Sequence, residues 1–329
     1  SLKYWMTEYH IDGFRFDQAH LLSLETAKRI SDELRSINPG VIIYGEAWDN
    51  RSGEFSSIGW GSFNAHFRDV LRGDLHNYDK KGFLFSSYRP DENKADVKSI
   101  ISGSPYTLGG VYKEPSHSIN FLEVHDDYCF SDFLRLSSGE NKKNDIILNK
   151  TKHISLSPKL KKMNKLGAFI LFMSKGVPLI HQGQEWGHSQ IIQQTNIVDL
   201  NVHKMDPNPY NKDNETNWVN WDELKQNEDL VEFYKELIKI RKENISRKKM
   251  IYEKVEFFDF ENKFCLGFRV DEERIAFING DNNNSAEINL PKGSWNLLIS
   301  TDEMRNDKMK RYEGVIMLKP TSGILLEQK

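Results

Sequence analysis

Three short stretches of this sequence carry acids in arrangements that can do chemistry: Arg15-Phe16-Asp17, Gly45-Glu46-Ala47-Trp48 and Glu123-Val124-His125-Asp126-Asp127. Carboxylates set close together can divide labour, one staying ionised and another holding a proton, when their surroundings push their proton affinities apart. Arg15 stands two positions before Asp17, so in a strand both side chains leave the same face, where charge pairing favours the ionised carboxylate. A single acid at the end of a strand is also what an ordinary turn or helix N-cap looks like. Three of them, with an Arg before the first and a Trp after the second, are harder to assign to turns alone.

The elements around these acids must deliver them to one place. Ile11 to Asp17 alternates, with Phe14 and Phe16 on one face and Arg15 and Asp17 on the other, which predicts a short strand. Ser23 to Ile37 reads as a helix: Ala27, Ile30, Leu34 and Ile37 recur every three or four positions, Ser23 offers an N-cap, and Asn38-Pro39-Gly40 ends it. Val41 to Tyr44 is a continuous apolar run, the pattern of a strand buried on both faces. Strand, helix, strand at this spacing predicts a βαβ unit and a parallel sheet. The pattern returns with a strand over Ser118 to Val124, a helix over Lys161 to Ser174 and a strand over Val177 to His181, separated from the first unit by a long excursion between Asp79 and Ser118. All three acidic words fall at the carboxyl ends of predicted parallel strands, the edge at which barrel enzymes gather their reacting groups. Leu230, Phe233, Leu237 and Ile240 mark a last amphipathic helix. Beyond about Lys249, Tyr, Phe, Val and Ile runs separated by Glu261-Asn262, Asp271-Glu272 and Gly280 to Asn284 predict an antiparallel β domain.

Composition narrows the classes further. The 329 residues carry 45 Lys+Arg against 48 Asp+Glu, a formal charge of −3, too balanced for an electrostatic nucleic-acid binder. The Lys-rich stretch from Asn141 to Lys165 lacks interleaved aromatics and reads as a solvated face. The longest apolar stretch, Leu166 to Ile180, is interrupted by Ser174, Lys175 and Pro178, so no membrane span is expected. Cys129 and Cys265 show no metal-ligand spacing and are expected to be buried free thiols. By length, a complete barrel of roughly 250 residues with a tail of about 80 would fit.

The longer words around the acids change that estimate. His10-Ile11-Asp12-Gly13-Phe14-Arg15-Phe16-Asp17, Tyr44-Gly45-Glu46-Ala47-Trp48, Val124-His125-Asp126-Asp127 and Gly176-Val177-Pro178-Leu179-Ile180-His181-Gln182-Gly183-Gln184-Glu185 resemble, in order and spacing, strands four, five, seven and eight of glycoside hydrolase family 13, the α-amylase superfamily. Phe63-Asn64, Phe67-Arg68-Asp69, Arg72-Gly73, Asn208-Pro209-Tyr210-Asn211 and Asn220-Trp221 look most like its pullulanase and isoamylase-type debranching members. The resemblance implies the C-terminal part of a (β/α)8 TIM barrel over residues 1–248, strands four to eight, followed by an antiparallel β-sandwich domain over 249–329. It also implies that the N-terminal half of the barrel, with the family's Asp and His at the end of strand three, is missing. Asp199 and His203 do not supply that word, being one position too close and lying after strand eight.

Carried over by the resemblance, Asp17 is the nucleophile, Glu46 the general acid/base and Asp126 the carboxylate that stabilises an oxocarbenium-like sugar. Two such groups, roughly 5 to 5.5 Å apart, give retention through a covalent glycosyl-enzyme. Glu46 must hold a proton at rest, so burial and neighbouring acids are expected to raise its pKa. Arg15 and His125 are expected to bind around the reacting sugar, and His20 and Trp48 to line the acceptor side, Trp48 by stacking. Trp60, Trp186, Trp218 and Trp221 are further candidates for glycan contact, with core packing or loop anchoring as the alternative, and Gln184-Glu185 is expected to organise hydrogen bonds. The implied reaction is hydrolysis of α-1,6 branch bonds in pullulan, glycogen or limit dextrin, with little activity expected of a half-barrel. The alternatives are α-1,4 hydrolysis or glucan transfer within the superfamily, to which His125-Asp126-Asp127 gives room because many members have His-Asp-Asn, or a non-catalytic glucan-binding fragment. No cofactor is required, and no structural Ca²⁺ is expected without a dense acidic loop. The expected partners are an α-glucan and the missing half of the barrel, with no nucleic acid and no membrane. Targeting signals leave the compartment unread, a bacterial cytoplasm being favoured over secretion.

Overall fold

The computed structural model describes residues 1–48, 51–74, 77, 79–243, 254–303 and 310–328. Five parallel strands form one sheet in chain order: β1 (Gly13–Phe16), β2 (Ile42–Gly45), β3 (Gly61–Asn64), β4 (Ser118–Asn120) and β5 (Val177–Pro178). The expected helix after β1 spans Leu24–Ile37, and the Ser23 hydroxyl caps it by accepting from the Thr26 amide at 3.1 Å. Its Ala27 and Leu34 are buried with Val41 and Ile43 in the cluster that packs under β1 and β2. β3, which no apolar run announced, lies between the second and third acidic words. β4 and β5 are shorter than expected, because past Asn120 the chain leaves the ladder and Pro178 has no amide to extend it. The amide of Leu179 still donates to the Asn120 carbonyl at 2.8 Å, keeping the two exits side by side.

A long buried helix, Pro158–Met173, and the expected amphipathic helix, Glu228–Glu243, pack together behind the later strands. In the latter, Leu230, Phe233, Leu237 and Ile240 are all buried. The excursion from Asp79 to Ser118 holds one capped helix, Lys94–Ile101, with short 3-10 turns on either side.

The C-terminal part is all β. β6 (Phe257–Asp259), β7 (Cys265–Arg269), β8 (Arg274–Asn279), β10 (Trp295–Ser300), β11 (Arg311–Tyr312) and β13 (Ser322–Gln328) form an antiparallel sheet, and β9 (Ala286–Asn289) pairs with β12 (Val315–Leu318) across from it. The expected boundary at 248/249 lies outside the described residues. Alternation along β8 shows how this domain is seated. Ile275 and Phe277 face Ile288 and Ile316 of the small sheet, whereas Ala276 and Ile278 join the core formed by the helices Pro158–Met173 and Glu228–Glu243. Polar contacts reinforce the seat: Tyr88 donates to the Lys263 carbonyl at 2.7 Å, Lys98 pairs with Asp259 at 2.6 Å, and Asn282 donates to the Leu84 carbonyl at 3.1 Å. Both cysteines are free and buried. Among the described residues no helix is long and apolar enough to cross a membrane.

Candidate active site

The carboxyl ends of β1, β2 and β4 bring the predicted residues to one edge. After β2 the chain stays tied to β1: the Glu46 amide donates to the Phe16 carbonyl at 3.0 Å, and the Glu46 carbonyl accepts from the His20 amide at 3.3 Å. Gly45 permits this approach, since a Cβ there would stand 2.5 Å from the Ala19 Cβ. Phe14 and Phe16 pack toward the helices, as the alternation predicted, and Arg15 lies over the Phe63 ring at 5.5 Å on the opposite face.

Arg15 joins the two acids. Its Nη2 is ion-paired with Glu46 and lies 3.2 Å from Asp17 Oδ1. Oxygens of Asp17 and Glu46 and a ring nitrogen of His125 all fall within 4.8 Å of one another. Carboxyl groups that lie close together leave less room for an intervening water than the about 6.5 to 9.5 Å of an inverting pair. The surroundings of the two acids differ sharply: the Asp17 side chain is 67% exposed and that of Glu46 only 3%. Burial raises the Glu46 carboxyl above its ordinary value, and the hydrogen bond and charge of Asp17 push the same way. Arg15 and the Gln18 amide, which donates to Glu46 Oε2 at 3.2 Å, oppose the rise without reversing it. Gln18 escaped the sequence reading. It takes a left-handed conformation, φ 42°, to aim that amide, and nothing about a glutamine announces such a turn.

His125 Nε2 lies 3.8 Å from Glu46 Oε1 and 3.4 Å from Asp126 Oδ2, so the third acid reaches the pair through the imidazole. His20 sits beside the main chain of Glu46, its Nδ1 3.4 Å from that carbonyl. Trp48 is half-buried against Phe63, with ring centroids 6.3 Å apart, near Phe121 and Val124. Of the other tryptophans, Trp60 and Trp186 are buried, in agreement with the packing alternative, whereas Trp218 and Trp221 are exposed. Gln184 is buried and donates to the Tyr234 hydroxyl at 3.1 Å, and Glu185 accepts from the Gly183 amide at 2.9 Å. A cleft of about 240 Å³ runs from His125 past His181, Tyr210 and Trp218.

Glu123, two positions before His125, is a second residue whose role the sequence did not announce. It is fully buried, accepting from His188 Nε2 at 2.8 Å and from the Phe130 amide, with His181 Nδ1 at 3.2 Å. Burial alone would raise its carboxyl, yet the histidines outweigh burial and hold it at about 2. Among the described residues two groups of donors are close enough for a cation, Asp17–Glu46–His125 and Glu123–Cys129–His188. In the first, Arg15 already supplies the positive charge; in the second, the acceptor sites of Glu123 are taken by N–H donors.

No family model matches the chain. Among curated proteins it is 27% identical over 252 residues to a pullulanase of Bacillus subtilis (strain 168), covering 73% of this chain and 31% of that protein. It is 28% identical over 290 residues to the chloroplastic isoamylase 1 of Arabidopsis thaliana, covering 74% of this chain and 34% of the relative. Its homologues are glycoside hydrolase family 13 debranching enzymes. Among solved structures, a pullulanase from Anoxybacillus sp. LM18-11 complexed with maltotriose superposes on the whole chain with a TM-score of 0.79 at 23% identity, over 44% of that protein. This likeness carries the fold, a parallel-barrel sheet followed by a β domain. The chain spans about a third of the length of the curated relatives it matches.

Proposed function

We propose that this chain contributes the reacting acids of a retaining α-glucan hydrolase acting on α-1,6 branch bonds. The observation that carries the reading is the pair of close carboxylates in opposite environments, Asp17 open and Glu46 buried, bridged by Arg15. Asp17 attacks the anomeric carbon from its exposed side while Glu46, protonated, passes its proton to the departing glycosidic oxygen. The bond to the leaving sugar breaks as the Asp17 ester forms. Glu46, now a carboxylate, takes a proton from water, whose oxygen attacks the same carbon and releases Asp17. Arg15 holds both carboxylates throughout, and His125 with Asp126 binds the sugar whose ring gains positive charge in the transition state. The glucan chain lies along the cleft beside Tyr210 and Trp218, whose rings offer apolar faces to pyranose units.

In this reading β1 to β5 are strands four to eight of an eight-stranded barrel. Support comes from the chain leading into β1, where Tyr4, Trp5 and Tyr9 are 44% to 57% exposed, and from the outer edge of β1, which no described strand pairs. The remaining strands are then supplied by polypeptide outside this sequence. The test is to express the longest natural polypeptide containing the sequence, with and without Asp17→Asn, on pullulan and on amylose. Maltotriose released from pullulan by the parent but not by the Asn form supports the proposal. Cleavage of amylose alone overturns the linkage, and turnover that survives Asp17→Asn overturns the nucleophile.

A further inference from the structure

Arg72 lies at the end of the helix Ala65–Arg72, on the segment between the second and third acidic words, and takes no part in the reaction proposed above. It is only 1% exposed, and among the described residues no carboxylate pairs with it directly. Burial lowers its guanidinium to about 10, which leaves it charged at neutral pH. A buried, directly unpaired cation is costly, by several kcal/mol before compensation, so its contacts indicate what it is for. Its Nη1 donates to the Leu122 carbonyl and its Nη2 to the Tyr128 carbonyl at 3.1 Å, while the guanidinium lies over the Phe133 ring at 4.3 Å. Those two carbonyls are where the chain enters and leaves the irregular stretch that presents His125 and Asp126. A planar fork with two donors can fix the gap between two acceptors, which a point-charge ammonium does less well.

On the solvent side a second contact acts on the same stretch. Asp127 holds a left-handed conformation, φ 63°, and its amide donates to Asn208 Oδ1 at 3.1 Å. Asn208 is itself fixed by its amide donating to Asp206 Oδ1 at 3.0 Å, and Asp206 is buried against Lys212 at 2.9 Å. A non-glycine residue at positive φ persists only where its surroundings hold it.

We propose that Arg72 from below and Asn208 from above are positioning residues that set the pose of His125 and Asp126 for the reaction. The inference rests on the proposed hydrolysis for its kinetic consequence but not for its structural one. Arg72→Met removes both donors at similar volume, and Asn208→Ala removes the acceptor at an exposed site where folding is not at risk. In the longest natural polypeptide, kcat on pullulan per folded molecule should fall about 10- to 100-fold in each variant, the scale of roughly 1 Å misplacement, with KM changed less than about threefold. Arg72→Lys should recover only part of the loss. Hydrogen exchange gives the second measurement: peptides covering residues 121–130 should exchange faster in both variants, with peptides of the β domain unchanged. Should Arg72→Met fail to fold, Asn208→Ala decides alone. Unaltered exchange in this stretch, or faster exchange with kcat intact, overturns the inference. A parent that cleaves no α-glucan overturns the proposed reaction instead, and the exchange data still decide whether the two residues hold the loop.

Discussion

Replacing Glu123 by Gln tests whether the stretch carrying His125 is held by charge or merely by shape. The carboxylate is 1% exposed, accepts from His188 at 2.8 Å and from the Phe130 amide, and faces His181 at 3.2 Å. A carboxyl held at about 2 in place of its ordinary 4.5 favours the folded, ionised state by roughly 3 kcal/mol, since each tenfold change is about 1.4 kcal/mol. Because the folded value is depressed, this stability is fully present above about pH 4.5 and is lost as pH falls toward 2. His188 is the same contact seen from the other side: burial would lower its imidazole, but the Glu123 charge raises it, so its contribution is present below its ordinary 6.5 and lost as pH rises through the folded value. The contact is therefore strongest between about pH 4.5 and 6.5. Gln cannot ionise, and its amide sets a donor against either Phe130 or a histidine. Urea unfolding followed by tryptophan fluorescence should show the variant weaker by roughly 3 kcal/mol near pH 6 and by less than about 1 kcal/mol near pH 2.5. A difference that stays constant across that range would mean the contact does not depend on ionisation, and the reasoning from charge fails.

Two further substitutions probe other links. Glu46→Gln should lower kcat by about 10²- to 10⁴-fold through loss of the proposed general acid, while its unfolding temperature should rise relative to the parent's as pH rises from 4 to 8. The sign follows from burial holding the folded carboxyl above its ordinary value, so that only the parent must ionise a buried acid as pH increases; a variant whose unfolding temperature falls relative to the parent's as pH rises refutes it. Gly323→Ala would place a Cβ 2.7 Å from Phe169 Cδ1, where β13 meets the helix Pro158–Met173. Overpacking there should cost about 1 to 3 kcal/mol in a denaturant melt, and a loss below about 0.5 kcal/mol would show that the β domain yields at its seat.

The sequence made the acids and their strand ends legible because alternation along Ile11 to Asp17 and the apolar run Val41 to Tyr44 are local signals. The turns Glu261-Asn262 and Asp271-Glu272 likewise fall between observed strands of the β domain. β3 was illegible for a physical reason. All of Gly61–Asn64 is buried, yet Ser62 and Asn64 are polar, and Asn64 Nδ2 lies 2.9 Å from Ser104 Oγ and 2.8 Å from Ser118 Oγ. Ser62, Phe63 and Asn64 alternate, but over only four residues and with the polar positions buried and hydrogen-bonded, so the stretch shows neither an apolar run nor the apolar-in, polar-out signature of a half-exposed strand. Gln18 and the roles of Arg72 and Glu123 stayed hidden for a related reason. Each acts on the main chain, or on a partner tens of positions away, and such contacts leave no local pattern.

The difference between the two acids follows from where each leaves the sheet. Glu46 leaves β2, an inner strand, and its main chain is gripped by Phe16 on one side and His20 on the other, which turns its side chain beneath the Gln18 amide. Asp17 leaves β1, at the edge, and stays in water, where screening weakens its repulsion of Glu46. In the proposed reaction a glucan seated over Asp17 removes that water, and the lower local dielectric strengthens the repulsion between the two carboxylates. The proton is then held more firmly by the acid that is already buried. Substrate binding thus keeps the proton on Glu46, as the first step of the proposed reaction requires. Arg15, touching both, limits how far the pair can be driven.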